Sequence, residues 1–106
     1  MRVVISGLAR AELRAIGAWI ARENPSRARR FTTELIDRCY GLRVQPARHP
    51  VAAERAGRQI RRCVHGNYLI FFEIDPSQAI VRVVRILHGA RDYPELLGDQ
   101  AESDDG

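Results

Sequence analysis

The chain has 106 residues, 45% apolar and 28% charged, the make-up of one globular domain and not of a disordered chain. A chain of this size closes one modest core, so a deep cofactor cleft is not expected, and no apolar run is long enough to span a bilayer. All 17 basic residues are arginine; against nine acidic residues they give the stretch 1–98 a net charge of +8, while "DQAESDDG" at 99–106 carries four acids.

A basic body suits contact with nucleic acid or with an acidic protein, although an arginine-rich proteome would leave the same mark. Arg2 is followed by only three apolar residues before Ser6, so no secretion signal is read and the chain is expected in the cytoplasm. Cys39 and Cys63 lie in apolar contexts outside any C-x-x-C pair and read as reduced core thiols. His49, His65 and His88 lack metal-ligand spacing; neither a metal nor a cofactor is expected.

"RVVIS" (2–6) reads as a strand. Ser6 can cap the helix that follows, in which Ala9, Leu13, Ile16 and Ile20 make an apolar stripe. Trp19, the only tryptophan, is expected to pack at the helix–helix or helix–sheet boundary. The helix should stop near Glu23, because Pro25 disfavours helical backbone at Asn24. A second helix restarts there, capped by Asn24 or Ser26, with Ala28, Phe31, Leu35, Cys39 and Leu42 as its stripe and Glu34 spaced to pair with Arg38. The short connection makes the helices an antiparallel pair. "QPARHPVAAERAG" (45–57), with two prolines and no period, reads as a loop with at most one helical turn. "QIRRCV" (59–64), "YLIFFEID" (68–75) and "AIVRVVRIL" (79–87) are strands joined by gaps short enough to demand hairpins.

The expected fold is therefore α+β, in the order β-α-α-β-β-β. The helix pair covers one face of a mainly antiparallel sheet, and a short helical stub follows. Residues 1–98 form the domain and 99–106 an acidic tail expected to be disordered. Tyr68, Ile70, Phe72 and Ile74 share one face of the middle strand, with Leu69 and Phe71 on the other; alternation puts Val81, Val83 and Leu87 on one side of the last strand and Ile80, Val84 and Ile86 on the other. Two helices cover one face only, which leaves an apolar patch rimmed with arginine as a partner site, unless 45–57 or 91–98 folds over it. Arg61 and Arg62, being adjacent, point to opposite faces.

Three blocks, "SGLARAELRAIGAWI", "IRRCVHGNYLIFFEID" and "VVRILHGARDYPELL", follow one another in the order that resembles the ParE/RelE superfamily of type II toxins. The resemblance covers about residues 2–98, and the strand ending in H-G-x-R-D before an apolar stub is similar to the ParE branch. RelE-like members are ribosome-dependent ribonucleases with a basic cluster; ParE-like members poison DNA gyrase. By that resemblance Gln59 and Arg61 stand where RelE has two lysines, Tyr68 where it has an arginine, and Leu97 where it has its catalytic tyrosine. Arg91 matches the arginine after the last strand. General acid–base catalysis needs a group that can share a proton, and arginine does not. Only Tyr93 and His88 lie near enough, at other positions.

The resemblance thus implies a non-enzymatic toxin acting on gyrase, with Arg61, Arg62, Arg91 and Tyr93 as candidate target contacts. It implies a ParD-like antitoxin with an acidic C-terminal segment, met by Leu69, Phe71, Val84, Leu96 and Leu97. DNA would be reached only through the antitoxin, and no membrane is involved. A plainer duty for the last block is that Arg91 and Asp92 organise the turn while Tyr93, Leu96 and Leu97 pack the stub. The rival functions are a RelE-like mRNA interferase and a non-toxic partner or corepressor of the same fold.

Overall fold

The computed structural model describes residues 1–92. Strand β1 (Arg2–Ile5) ends at Ser6, whose Oγ accepts the amide of Ala9 at 3.1 Å and starts helix α1 (Gly7–Ala21). Asn24 does the same for helix α2 (Pro25–Gly41): its Oδ1 accepts the Arg27 amide at 3.0 Å, and Pro25 fills the first turn. The helices lie closely enough that a Cβ at Gly17 would come within 3.1 Å of the Thr32 methyl. Their apolar stripes close the main core on Ile70, Phe72, Val81, Val83 and Ile86 of the sheet. The spacing of Glu34 and Arg38 is used differently from the expected pair. Glu34 Oε2 faces His65 Nε2 at 3.7 Å, and the Arg38 charge bears on the Cys63 thiol.

The segment expected to be a loop holds a strand. After a 3₁₀ turn (Pro46–Arg48) the chain forms β2 (Val51–Arg55), then β3 (Arg58–His65), β4 (Tyr68–Asp75) and β5 (Ile80–His88). The sheet has five strands in the order β1-β5-β4-β3-β2, antiparallel except for β1 beside β5. The β2–β3 turn is the two residues Ala56 and Gly57, both at positive φ (52° and 77°), as the tight hairpin requires. Alanine there gives no turn signal, and Pro46 and Pro50 masked the short strand beside it.

The faces of the sheet also depart from simple alternation. Phe71 lies opposite Arg85 but Phe72 lies opposite Val83, so Val84 is an extra residue, a β-bulge. The bulge reverses the parity of everything after it. Ile86 joins Val81 and Val83 in the main core, and Leu87 goes to the other side with Leu69 and Phe71, the reverse of the expected assignment.

That second face is apolar but not open. Leu69, Phe71 and Leu87 are only 8%, 2% and 7% exposed, in a cluster flanked by Ala52, Ile60 and Val84. Part of the expected arginine rim is also committed: Arg58 and Arg82 both donate to Oε1 of the buried Glu73, at 3.1 and 2.7 Å. Two cations on one desolvated carboxylate neutralise a charge that would otherwise be costly. Cys39 and Cys63 are free and buried, and burial pushes the Cys39 thiol up to about 12, which leaves it unreactive. No helix among the described residues is long and apolar enough to cross a membrane.

Candidate functional site

Helix α1 runs beside β5 in the same direction. Ser6 donates to the Val84 carbonyl, Glu12 accepts from the Ile86 amide, and Trp19 reaches Arg91 just past the strand. The helix–helix turn, the β3–β4 turn and the end of β5 therefore meet at one end of the sheet. There they enclose a cleft of about 460 Å³. Trp19 and Ile20 come from the end of α1, Arg27 and Phe31 from the start of α2, Gly66 and Asn67 from the β3–β4 turn, and Tyr68 from the start of β4. His88 and Arg91 close it.

The arginines at this end stand over rings. The Arg22 and Arg91 guanidinium carbons lie 5.1 and 5.6 Å from the Trp19 ring centre, and Arg27 lies 5.8 Å from that of Phe31. Phe31 also meets Tyr68 and His65, and the edge of Tyr68 meets His88 at 5.1 Å. Trp19 is 56% exposed and does not pack at the boundary expected of it. It lies beside the Ile16–Ile20 stripe, and Arg22, three residues on, holds it at the surface.

His88 is fixed by its neighbours. Its Nδ1 accepts the Arg91 amide at 3.1 Å, so the neutral ring carries its proton on Nε2. The Asp92 carboxylate accepts from the His88 amide at 2.9 Å and from Arg91 Nε at 3.3 Å. The carboxyl of Asp92 is held below its ordinary value, because these hydrogen bonds outweigh the desolvation that opposes them. Asp92 holds Arg91 protonated even more firmly than usual. The resulting cleft offers N–H donors, and no acidic residue among the described ones lines it.

Of the target and antitoxin contacts expected from the sequence, Arg91 lines this cleft, as do Tyr68 and His88, which were weighed against the RelE pattern. Arg61 lies opposite Phe72 and Arg62 opposite Phe71, on the two faces as expected. Arg61 is tied to the chain before β2, donating to the carbonyls of Ala47 and His49 at 3.1 and 2.6 Å. Leu69 and Phe71 are buried and Val84 half-buried. Tyr93, Leu96 and Leu97 lie outside the described residues, as does the tail 99–106. Trp19, Arg22, Arg27 and Phe31 were missed as a site. A larger hollow of about 650 Å³ opens beside the β4–β5 turn, but its Arg58 already serves Glu73 and Glu54 and Asp75 also line it.

The sequence profile described as the ParE toxin of the type II toxin-antitoxin system, parDE, matches residues 3–93. The chain belongs to the ParE toxin family. The ParE-family chain is similar in fold to the chromosomal ParDE toxin–antitoxin system from P. aeruginosa, with a TM-score of 0.69 at 16% identity over 83% of this chain and 95% of that one. It is likewise similar to the RelBE2 toxin–antitoxin complex from Mycobacterium tuberculosis, with a TM-score of 0.60 at 20% identity over 82% of this chain and 88% of that one. A search of curated protein sequences finds no match.

Proposed function

We propose that this type II toxin arrests growth by binding DNA gyrase, and that a ParD-like antitoxin with an acidic segment holds it inactive. The toxin role follows from the family match over nearly the whole chain. Support for binding, in place of bond-breaking, comes from the state of His88. To attack RNA, a base must take a proton from a 2′-hydroxyl. The Nδ1 lone pair of His88 is occupied by the Arg91 amide, and Nε2 already bears a proton. The ring is set to donate, and the cations lining the cleft are arginines, which do not give up a proton near neutral pH.

A supercoiling assay beside a ribosome-dependent cleavage assay tests the reading. Inhibited supercoiling with intact translated mRNA is the expected result. Codon-positioned cuts would instead make the chain an interferase. Normal growth on inducing the chain alone would leave it a non-toxic partner of the toxin fold.

A further inference from the structure

The cleft at Trp19 is built to receive a ligand of a definite kind. Two arginines that line it, Arg27 and Arg91, stand on aromatic supports, and Arg22 stands on the Trp19 ring as well. A guanidinium lying on a ring keeps its in-plane N–H donors free, and that edge is shaped to fork around a carboxylate. Arg22 and Arg91 are placed in this way at Trp19, and Arg27 at Phe31, although Nε of Arg91 is already given to Asp92. Ile20 and Gly66 add apolar wall.

The same arrangement disfavours a nucleic-acid strand. Single-stranded nucleic acid is held by stacking bases on open ring faces. Here Trp19 carries guanidinium groups, and Phe31 is taken up by Arg27, His65 and Tyr68. What is left is charge for an anion, beside an apolar wall for a neighbouring aliphatic group.

We infer that this cleft receives an Asp or Glu side chain flanked by an aliphatic residue, carried on an acidic segment of the antitoxin. The inference rests on the toxin reading above. It moves the antitoxin site from the sheet face of Leu69 and Phe71, which is buried, to the end of the sheet where α1, α2 and β5 converge. Arg27 gains a carboxylate partner there, Arg91 gains a second beside Asp92, and the exposed indole is covered.

Trp19 is the chain's only tryptophan, so its fluorescence reports the cleft alone. The full chain is titrated with a blocked peptide of leucines and glutamates, with the same peptide carrying glutamine for glutamate, and with an oligothymidylate of equal charge. The acidic peptide should shift the Trp19 emission saturably. The glutamine peptide should bind ~10-fold more weakly, and Arg27→Ala and Arg91→Ala should each weaken the acidic peptide by a similar factor, the loss expected for a charge-assisted hydrogen bond. Arg27 is exposed and its ring partner is on its own helix, so that variant keeps the test valid if Arg91→Ala fails to fold. Equal binding of the glutamine peptide, tighter binding of the oligothymidylate, or no saturable response to the acidic peptide would overturn the inference. Growth on inducing the chain is scored separately. Arrest without a peptide response removes the cleft assignment only, whereas a peptide response without arrest removes the toxin reading beneath it.

Discussion

Glu12 and Arg85 are joined by a two-pronged contact, with Nε and NH2 of Arg85 at 2.9 and 2.8 Å from Oε2 of Glu12. The other oxygen of the same carboxylate accepts the Ile86 amide at 2.8 Å. These bonds sit immediately after the extra residue of the β5 bulge, where the ladder to β4 is broken. β1 stops at Ile5 opposite Val83, so among the described residues the Ile86 amide on that edge of β5 has no strand beside it; one carboxylate on α1 supplies its acceptor, and Ser6 meets the Val84 carbonyl next to it. The helix and the irregular strand specify each other.

Glu12→Ala should therefore cost about 1–3 kcal/mol, since a half-buried amide and a guanidinium both lose their acceptor. Glu12→Gln keeps an acceptor for Ile86 and should cost less. Arg85→Ala should cost least, because the guanidinium is partly in water and leaves the Ile86 bond intact. Urea denaturation of the three variants checks the order. Equal losses in all three would mean that the ion pair, and not the amide, carries the stabilisation.

Arg61 was expected to face a target, yet its guanidinium binds two carbonyls of its own chain. It pins the 3₁₀ turn to β3 and so fixes where β2 begins. Arg61→Ala is expected to destabilise by about 1–2 kcal/mol, whereas Arg91→Ala, at an exposed pair with Asp92, should lose less than ~1 kcal/mol. Thermal melts of both variants separate the two roles, and a melt unchanged in Arg61→Ala would return Arg61 to the target surface.

What was readable from sequence is what the chain decides locally. Ser6 and Asn24 bond amides three residues on, so both helix starts could be placed. The stripe of α2 is nearly all buried for the same reason. The failures are long-range. Alternation counts residues and has no sign for an inserted one, so Val84 sent Ile86 and Leu87 to the wrong faces. Ala56 takes a left-handed turn because the flanking strands pair, not because alanine prefers it. The cleft was unread because Trp19, Arg27, Tyr68 and Arg91 come from four separate segments, and only the fold brings them together.

Acid should weaken the protein through His49. Its pKa is lowered, first by burial and then by Arg48, Arg38 and Arg61. The ring edges against Phe72 at 5.7 Å. The unfolded chain therefore binds this proton more readily than the folded one, and stability falls as pH drops from about 6.5 toward the lower folded value. His49→Gln should flatten this part of the curve. Melting temperatures between pH 7.5 and 5.5 decide it, and an identical acid slope in the variant would assign the effect elsewhere.

The sharpest separation between a binding toxin and a ribonuclease lies in one ring. If the Arg91 amide holds Nδ1 of His88, nitrogen NMR of the neutral imidazole should show the proton on Nε2. A ring in that state can donate to a bound anion but cannot accept a 2′-hydroxyl proton without turning over and breaking the Arg91 bond. The same chain should then leave translated mRNA intact in a primer-extension assay on ribosomes. His88→Ala should change nothing there, while loosening the turn that carries Arg91 into the cleft. The two measurements constrain each other. A proton found on Nδ1 together with codon-positioned cuts that vanish in His88→Ala would make His88 a general base and this chain a histidine-based interferase. The Nε2 tautomer with uncut mRNA leaves gyrase inhibition to be measured as an effect of binding alone.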